Sequence, residues 1–186
     1  MSKTIRISYL FAGLLLVFPT LSFAQDNQVI SDKTELHAKK LNIAGRQRML
    51  TQRIAKSACF IASYHDVEKH KEILRTSVDL FDKSFYALRD GDNELGFPKE
   101  ENENILQQEQ LLKPIWDKLK FASEVLLSSY QFPGLDAELI NTINMPTLLQ
   151  ANEIVKTMDL LYSKSDSATA GVKVVNIAGR QRILTQ

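Results

Sequence analysis

Val67–Arg89 reads VEKHKEILRTSVDLFDKSFYALR. Its apolar residues Val67, Leu74, Val78, Phe81, Phe85 and Leu88 are spaced 7, 4, 3, 4 and 3. That spacing puts them on one stripe of a helix and leaves the charges on the other faces. The same period recurs on both sides. From about Asp32 to Tyr64 it runs through Leu36, Ile43, Leu50, Ile54 and Ile61. From about Glu101 to Tyr130 it runs through Ile105, Leu112, Ile115, Leu119, Ala122 and Leu126. From about Asp136 to Tyr162 it runs through Ile140, Ile143, Ala151, Ile154, Met158 and Leu161. Asp90-Gly91-Asp92-Asn93 with Gly96 and Pro98 separates the second stretch from the third, and Pro133-Gly134 the third from the fourth. The break at His65-Asp66 carries the least turn chemistry. No strand-like alternation interrupts the pattern. The expected fold is all-α: an antiparallel four-helix bundle with long helices. Pro114 and Pro146 fall inside helical patterns, where a kink or a helix restart is expected.

Composition narrows the function classes. The chain has 186 residues, 44% of them apolar and 24% charged, which excludes low-complexity and largely disordered classes. Lys+Arg 23 against Asp+Glu 22 excludes a globally basic nucleic-acid binder, and no nucleic-acid partner is expected. A single cysteine, Cys59, excludes an intrachain disulfide and a Cys-based zinc site, so stability must come from packing.

The N-terminus carries an export pattern. Lys3 and Arg6 precede the ten-residue apolar run Tyr9–Phe18, then Pro19, and Ser22-Phe23-Ala24 offers small residues for cleavage. The expectation is a signal peptide over 1–24, cleaved before Gln25, which places the remainder in the periplasm. The alternative is an uncleaved inner-membrane anchor, since Ile7–Phe23 is 17 residues long. The bundle is then expected over 25–170.

The remaining segment, 171–186, holds the most informative feature. Leu41–Gln52 reads LNIAGRQRMLTQ and Val175–Gln186 reads VNIAGRQRILTQ, identical at ten of twelve positions. Helical periodicity preserves apolar character but not this string. The second copy either extends the fourth helix or opens a second bundle. On a helix, Leu41, Gly45, Arg48, Gln52, Ala55, Cys59 and Ala62 form a second heptad seam, apart from the core stripe. Its small residues permit a close helix neighbour, and a Gly inside a helix costs about 1 kcal/mol relative to Ala, which calls for a packing or ligand reason. In a two-fold pair of first helices Arg48 would meet its own copy. Two facing guanidiniums repel unless an anion lies between them, and Arg is suited to holding a planar oxyanion through paired donors. Arg46, Arg53 and Lys56 lie on a different face, read as a solvated basic surface. Cys59, on the seam, is expected to be buried.

NIAGRQRMLTQRIAK, Asn42–Lys56, closely resembles the signature of the NarX/PilJ-like sensory domain. That domain occurs outside the membrane in nitrate/nitrite sensor kinases and at the N-terminus of type IV pili methyl-accepting chemotaxis transducers. The resemblance implies a dimeric four-helix bundle with the signature on its first helix. In the nitrate sensors the anion lies between two first helices and is held by an Arg three positions after a Gly. Here that pattern falls on Gly45 and Arg48, with Gln52 on the same seam. The second copy offers Gly179 and Arg182.

Other chemistry finds no pattern. His37, His65 and His70 lack metal-ligand spacing and read as solvated or capping side chains. No nucleophile–base constellation, phosphate loop or cofactor motif is present, so no enzyme, cofactor or metal site is expected. The expected function is a periplasmic sensory domain, a homodimer binding a small nitrate- or nitrite-like oxyanion. No second stretch is long and apolar enough to span a membrane, so it is expected to signal through a separate membrane receptor or kinase. The rival reading is a structural or assembly bundle of the cell envelope in which the motif is only a helix-packing device.

Overall fold

The computed structural model describes residues 22–128 and 133–165. Four helices follow in order: α1 (Ser22–Ala62), α2 (Val67–Asp90), α3 (Glu103–Ser128) and α4 (Pro133–Ser165). Among the described residues there is no strand, only an isolated bridge between Asp92 and Phe97. Cross-helix pairs fix the topology. Gln47 meets Ser84 while Phe60 stacks on His70, so α1 and α2 run in opposite directions. Cys59 meets Asn141 and Arg48 meets Asn152, so α4 is antiparallel to α1 as well. Trp116 of α3 reaches Asp82 of α2, and Gln150 of α4 reaches Gln108 of α3. The result is the expected up-and-down four-helix bundle.

The core stripes read from the sequence are the buried faces, except that Ile115 is only half-buried and its neighbour Trp116 fills the core in its place. Leu50, Ile54 and Ile61 of α1 are fully buried with Leu74, Phe81 and Phe85 of α2. Leu112, Trp116 and Leu119 of α3 and Ile140, Ala151 and Ile154 of α4 close the core from the other side. Each large apolar side chain so enclosed contributes about 1.5–3 kcal/mol. Trp116 stacks on Phe81 with ring centroids 3.8 Å apart, and its indole N–H donates to Asp82.

The boundaries differ from expectation in instructive ways. α1 begins at Ser22, some ten residues before the apolar stripe. Pro133-Gly134, read as a separator, forms the first turn of α4, where proline's missing N–H costs nothing. Pro114 and Pro146 lie within continuous helices, without the restart that was open for each. The α1–α2 turn lacks glycine, and Tyr64 (φ 56) and Asp66 (φ 43) take left-handed backbone instead. Gly91, by contrast, is required: with φ at +90, a Cβ there would sit 2.9 Å from the Lys99 amide nitrogen. No helix among the described residues is long and apolar enough to cross a membrane. The bulk of the expected signal peptide (1–21) and the segment 171–186, with Gly179 and Arg182, lie outside the described residues.

Candidate functional site

The repeated motif lies in the middle of α1, the helix that packs against both α2 and α4. Between Lys40 and Ala58 that helix is buried on most of its faces, leaving only Arg46, Arg53 and Lys56 exposed. A helix so largely enclosed would ordinarily be apolar on its buried faces. This one is not: Lys40, Gln47, Arg48, Thr51 and Ser57 are buried with it. Buried polar groups are costly unless hydrogen-bonded, and α1 finds partners on three neighbours. Lys40 Nζ makes a buried ion pair with Glu100, just before α3, at 3.0 Å. Gln47 Nε2 donates to Ser84 Oγ of α2 at 3.3 Å. Thr51 Oγ1 donates to the Arg48 carbonyl at 2.8 Å.

Arg48 is the member of greatest chemical interest. It is only 2% exposed. Its Nη1 donates to Asn152 Oδ1 of α4 at 2.9 Å. The guanidinium lies back along the helix over Gly45, where an added Cβ would stand 3.5 Å from Nη2. Helical side chains lean toward the N-terminus, so the residue three positions earlier sits beneath the guanidinium. Glycine at 45 leaves that surface open. An Ala would meet it at ordinary contact distance, and anything longer would displace the guanidinium.

These contacts correct the reading of the seam. Leu41, Arg48 and Ala55 are already buried within the single bundle, where Arg48 reaches Asn152 of α4. Small residues fit any close neighbour, and at Arg48 and Cys59 that neighbour is the chain's own α4. Gln52 parts company with Arg48. It stands in the wall of the cleft between α1 and α2, beside Arg53, Lys56, Lys69 and His70, and its Nε2 is buried without a hydrogen-bond partner. Cys59, expected to be buried, is exposed, with Asn141 Nδ2 donating to its Sγ at 3.2 Å. His70, read as solvated, is 8% exposed and stacks on Phe60 at 4.3 Å between centroids. Burial, then Lys69, pushes its pKa below the ordinary histidine value.

Sequence reasoning missed Asn152, an amide beside the core residue Ala151 with nothing in its neighbourhood to mark it. It also missed the ionic cluster at the opposite end of the motif. There Glu109 is 1% exposed, and burial, followed by repulsion from Glu100, raises its carboxyl to a pKa of about 8. Glu109 Oε2 has no hydrogen-bond partner among the described residues.

Against this geometry stands one family match. The model of the family described as "PilJ: Type IV pili methyl-accepting chemotaxis transducer N-term" matches residues 29–141. The match takes in the first copy of the motif, all of α2 and α3, and the start of α4. No curated protein and no solved structure matches the chain.

Proposed function

The chain belongs to the PilJ family of N-terminal domains of type IV pili methyl-accepting chemotaxis transducers, and from that premise we propose a periplasmic sensory domain for a small oxyanion. Its anchor is Arg48. The observation that carries this reading is a guanidinium buried between two helices, seated over Gly45 and hydrogen-bonded to α4 through the neutral oxygen of Asn152. A planar anion such as nitrate or nitrite offers the same donors a charged acceptor. The bond to Asn152 has a charged donor only; with an anion both partners are charged, and their Coulomb attraction is strongest where water is excluded. Exchange of Asn152 for the anion would loosen α4 from α1, so occupancy of the site becomes a displacement between two long helices. A separate membrane receptor or kinase would read that displacement.

The homodimer stays within the proposal, on a different surface. Leu135, Leu139, Met145, Leu149 and Leu160 are exposed and share one outer face of α4. An apolar row of that kind is a common self-association surface.

One observation favours the packing-device reading: the Arg48–Asn152 bond by itself gives the motif a structural task within a single chain. Thermal melts of the full chain with nitrate, nitrite, sulfate and phosphate separate the two. In the sensory reading, millimolar nitrate or nitrite raises the melting temperature of the wild type and leaves Arg48→Lys unmoved, because an ammonium lacks the planar pair of donors. If none of the four anions moves the wild type, the motif is a packing device.

A further inference from the structure

Between α1 and α2, on the side of α1 away from Asn152, lies a half-open cleft of about 550 Å³. Its walls are Gln52, Arg53, Lys56 and Ser57 of α1 with Lys69, His70 and Ile73 of α2. The charges are of one sign: three cations line it and no carboxylate does. Among the described residues neither Arg53 nor Lys69 makes an ion pair, although the other lysines and arginines of α2, Lys71, Arg75, Lys83 and Arg89, each have an acidic partner. Two polar atoms in the same walls are buried without a hydrogen-bond partner, Gln52 Nε2 and His70 Nδ1. Buried polar groups are satisfied in the large majority of cases, and a ligand held by this cationic cleft would supply the partner that Gln52 Nε2 lacks.

We infer that this cleft is a second ligand site, distinct from Arg48, which takes a small organic molecule carrying two or more negative charges as carboxylate or phosphate groups.

The size argues for an organic ligand. With liquid water at about 30 Å³ per molecule, the cleft holds far more than one inorganic oxyanion. It lies within the ~300–1,000 Å³ range of small-molecule sites. The charge argues for a polyanion, because the cations stand on both walls, Arg53 and Lys56 on one and Lys69 on the other. A single negative group would satisfy one wall only. Gln52 Nε2 is a donor suited to a carboxylate or phosphate oxygen, and Ile73 supplies an apolar contact for the ligand's carbon frame. Half of the site comes from the motif itself: Gln52, Arg53 and Lys56 follow directly on the helix turn that carries Arg48.

The test is calorimetric titration of the full chain at low ionic strength with citrate, glucose 6-phosphate, inorganic phosphate and nitrate. Citrate or glucose 6-phosphate is expected to bind with a Kd at or below about 1 mM. Arg53→Gln combined with Lys69→Gln should weaken that binding by about tenfold or more, and Gln52→Leu by a few-fold. Lys118→Gln, an exposed charge on α3, should change nothing. Arg48→Lys should leave the organic anion's affinity intact, which separates this site from the one proposed above. Three results would overturn the inference. One is no binding by either organic anion up to roughly 10 mM. Another is binding that survives the Arg53/Lys69 double substitution or falls equally with Lys118→Gln. The third is saturating nitrate or inorganic phosphate occupying the cleft as tightly as the organic anions.

Discussion

The two ends of the motif-bearing stretch of α1 treat charge in opposite ways. At Lys40 the helix meets a mixed cluster: Glu100 pairs with it, Glu109 lies buried nearby, and Arg89 and Asp90 pair with one another. Thirteen to sixteen residues on, roughly 20–24 Å along the axis, Arg53 and Lys56 meet Lys69 and His70 with no acid in the walls between them. At the first end the central pair is buried and neutralised from within the chain. The second is open, and among the described residues neither Arg53 nor Lys69 there makes an ion pair. Burial forces a chain to supply its own counter-charges, because an isolated buried ion is too costly to retain. Where solvent reaches the groups, the chain can leave the counter-charge to a ligand. Arg48, midway, belongs to the first kind in burial and to the second in chemistry.

The strongest way to break that comparison is Lys40→Met. It leaves the Glu100 carboxylate buried with only the backbone amides of Glu101 and Asn102 donating to it. Removal of one partner from a buried pair costs about 3–5 kcal/mol, and urea unfolding should show a loss of that size. A loss under about 1 kcal/mol would mean that water already reaches the pair.

Glu109 sharpens the same end through pH. Its carboxyl keeps its proton to about pH 8, whereas the unfolded chain releases it near the ordinary value of 4.5. The folded state therefore holds the extra proton between those values. The stability this contributes is complete below about 4.5, declines as pH rises, and is lost above about 8. Glu109→Gln cannot titrate, so its advantage over the wild type should grow across that window to on the order of 2–4 kcal/mol at pH 9. Parallel stability curves for the two proteins at pH 5, 7 and 9 would show that Glu109 titrates normally.

How much of this was legible in the sequence follows from what each signal encodes. The α2 stripe from Val67 to Leu88 needed only its own spacing, and its buried face is the one the spacing drew. The α1 seam was drawn too, but a helical wheel assigns a face, not a neighbour, so α4 could not be told from a second chain. The same limit hid Asn152, whose importance comes from Arg48, 104 positions away. His70 was read as a solvated or capping side chain because its spacing from His65 fits no metal site. It is buried because it stands opposite Phe60, a relation created by the turn at Ser63–Asp66. That turn carried little signal because Tyr64 and Asp66 adopt a backbone usually left to glycine. The basic cleft was half visible, since Arg53 and Lys56 stood out on one face; Lys69 joins them only after the hairpin closes.

Arg48→Ala tests the middle of the stretch. A two-fold arrangement of facing guanidiniums predicts no loss of stability, because a repulsion disappears. The observed geometry predicts a loss. The variant forfeits a charged hydrogen bond of about 1.5–3 kcal/mol, partly offset because a desolvated charge also goes. A net drop of about 1–2 kcal/mol in the ligand-free protein is expected, read from the denaturant midpoint at unchanged slope. Unchanged or increased stability would mean that Asn152 does not hold the guanidinium in solution, and would return Arg48 to a site between two chains.

The smallest effect carries the opposite sign and falls at the open end. Lys69→Gln removes one of three like charges from the cleft walls and breaks no ion pair among the described residues. If the positive charge there is unbalanced, its removal relieves repulsion. Exposed charges interact through water, so the gain is at most about 0.5 kcal/mol. Salt distinguishes this gain from a change in packing. At ~0.01 M the Debye length is about 30 Å and the repulsion is felt across the whole cleft; at ~1 M it is about 3 Å and the repulsion is screened. The variant should therefore exceed the wild type slightly at low salt and coincide with it at high salt, whereas Lys40→Met, acting on a buried pair, should lose nearly the same stability at both. If Lys69→Gln instead costs more than about 1 kcal/mol, or if its effect persists at ~1 M salt, then Lys69 has a structural partner. The two ends of α1 would then handle their charges in the same way.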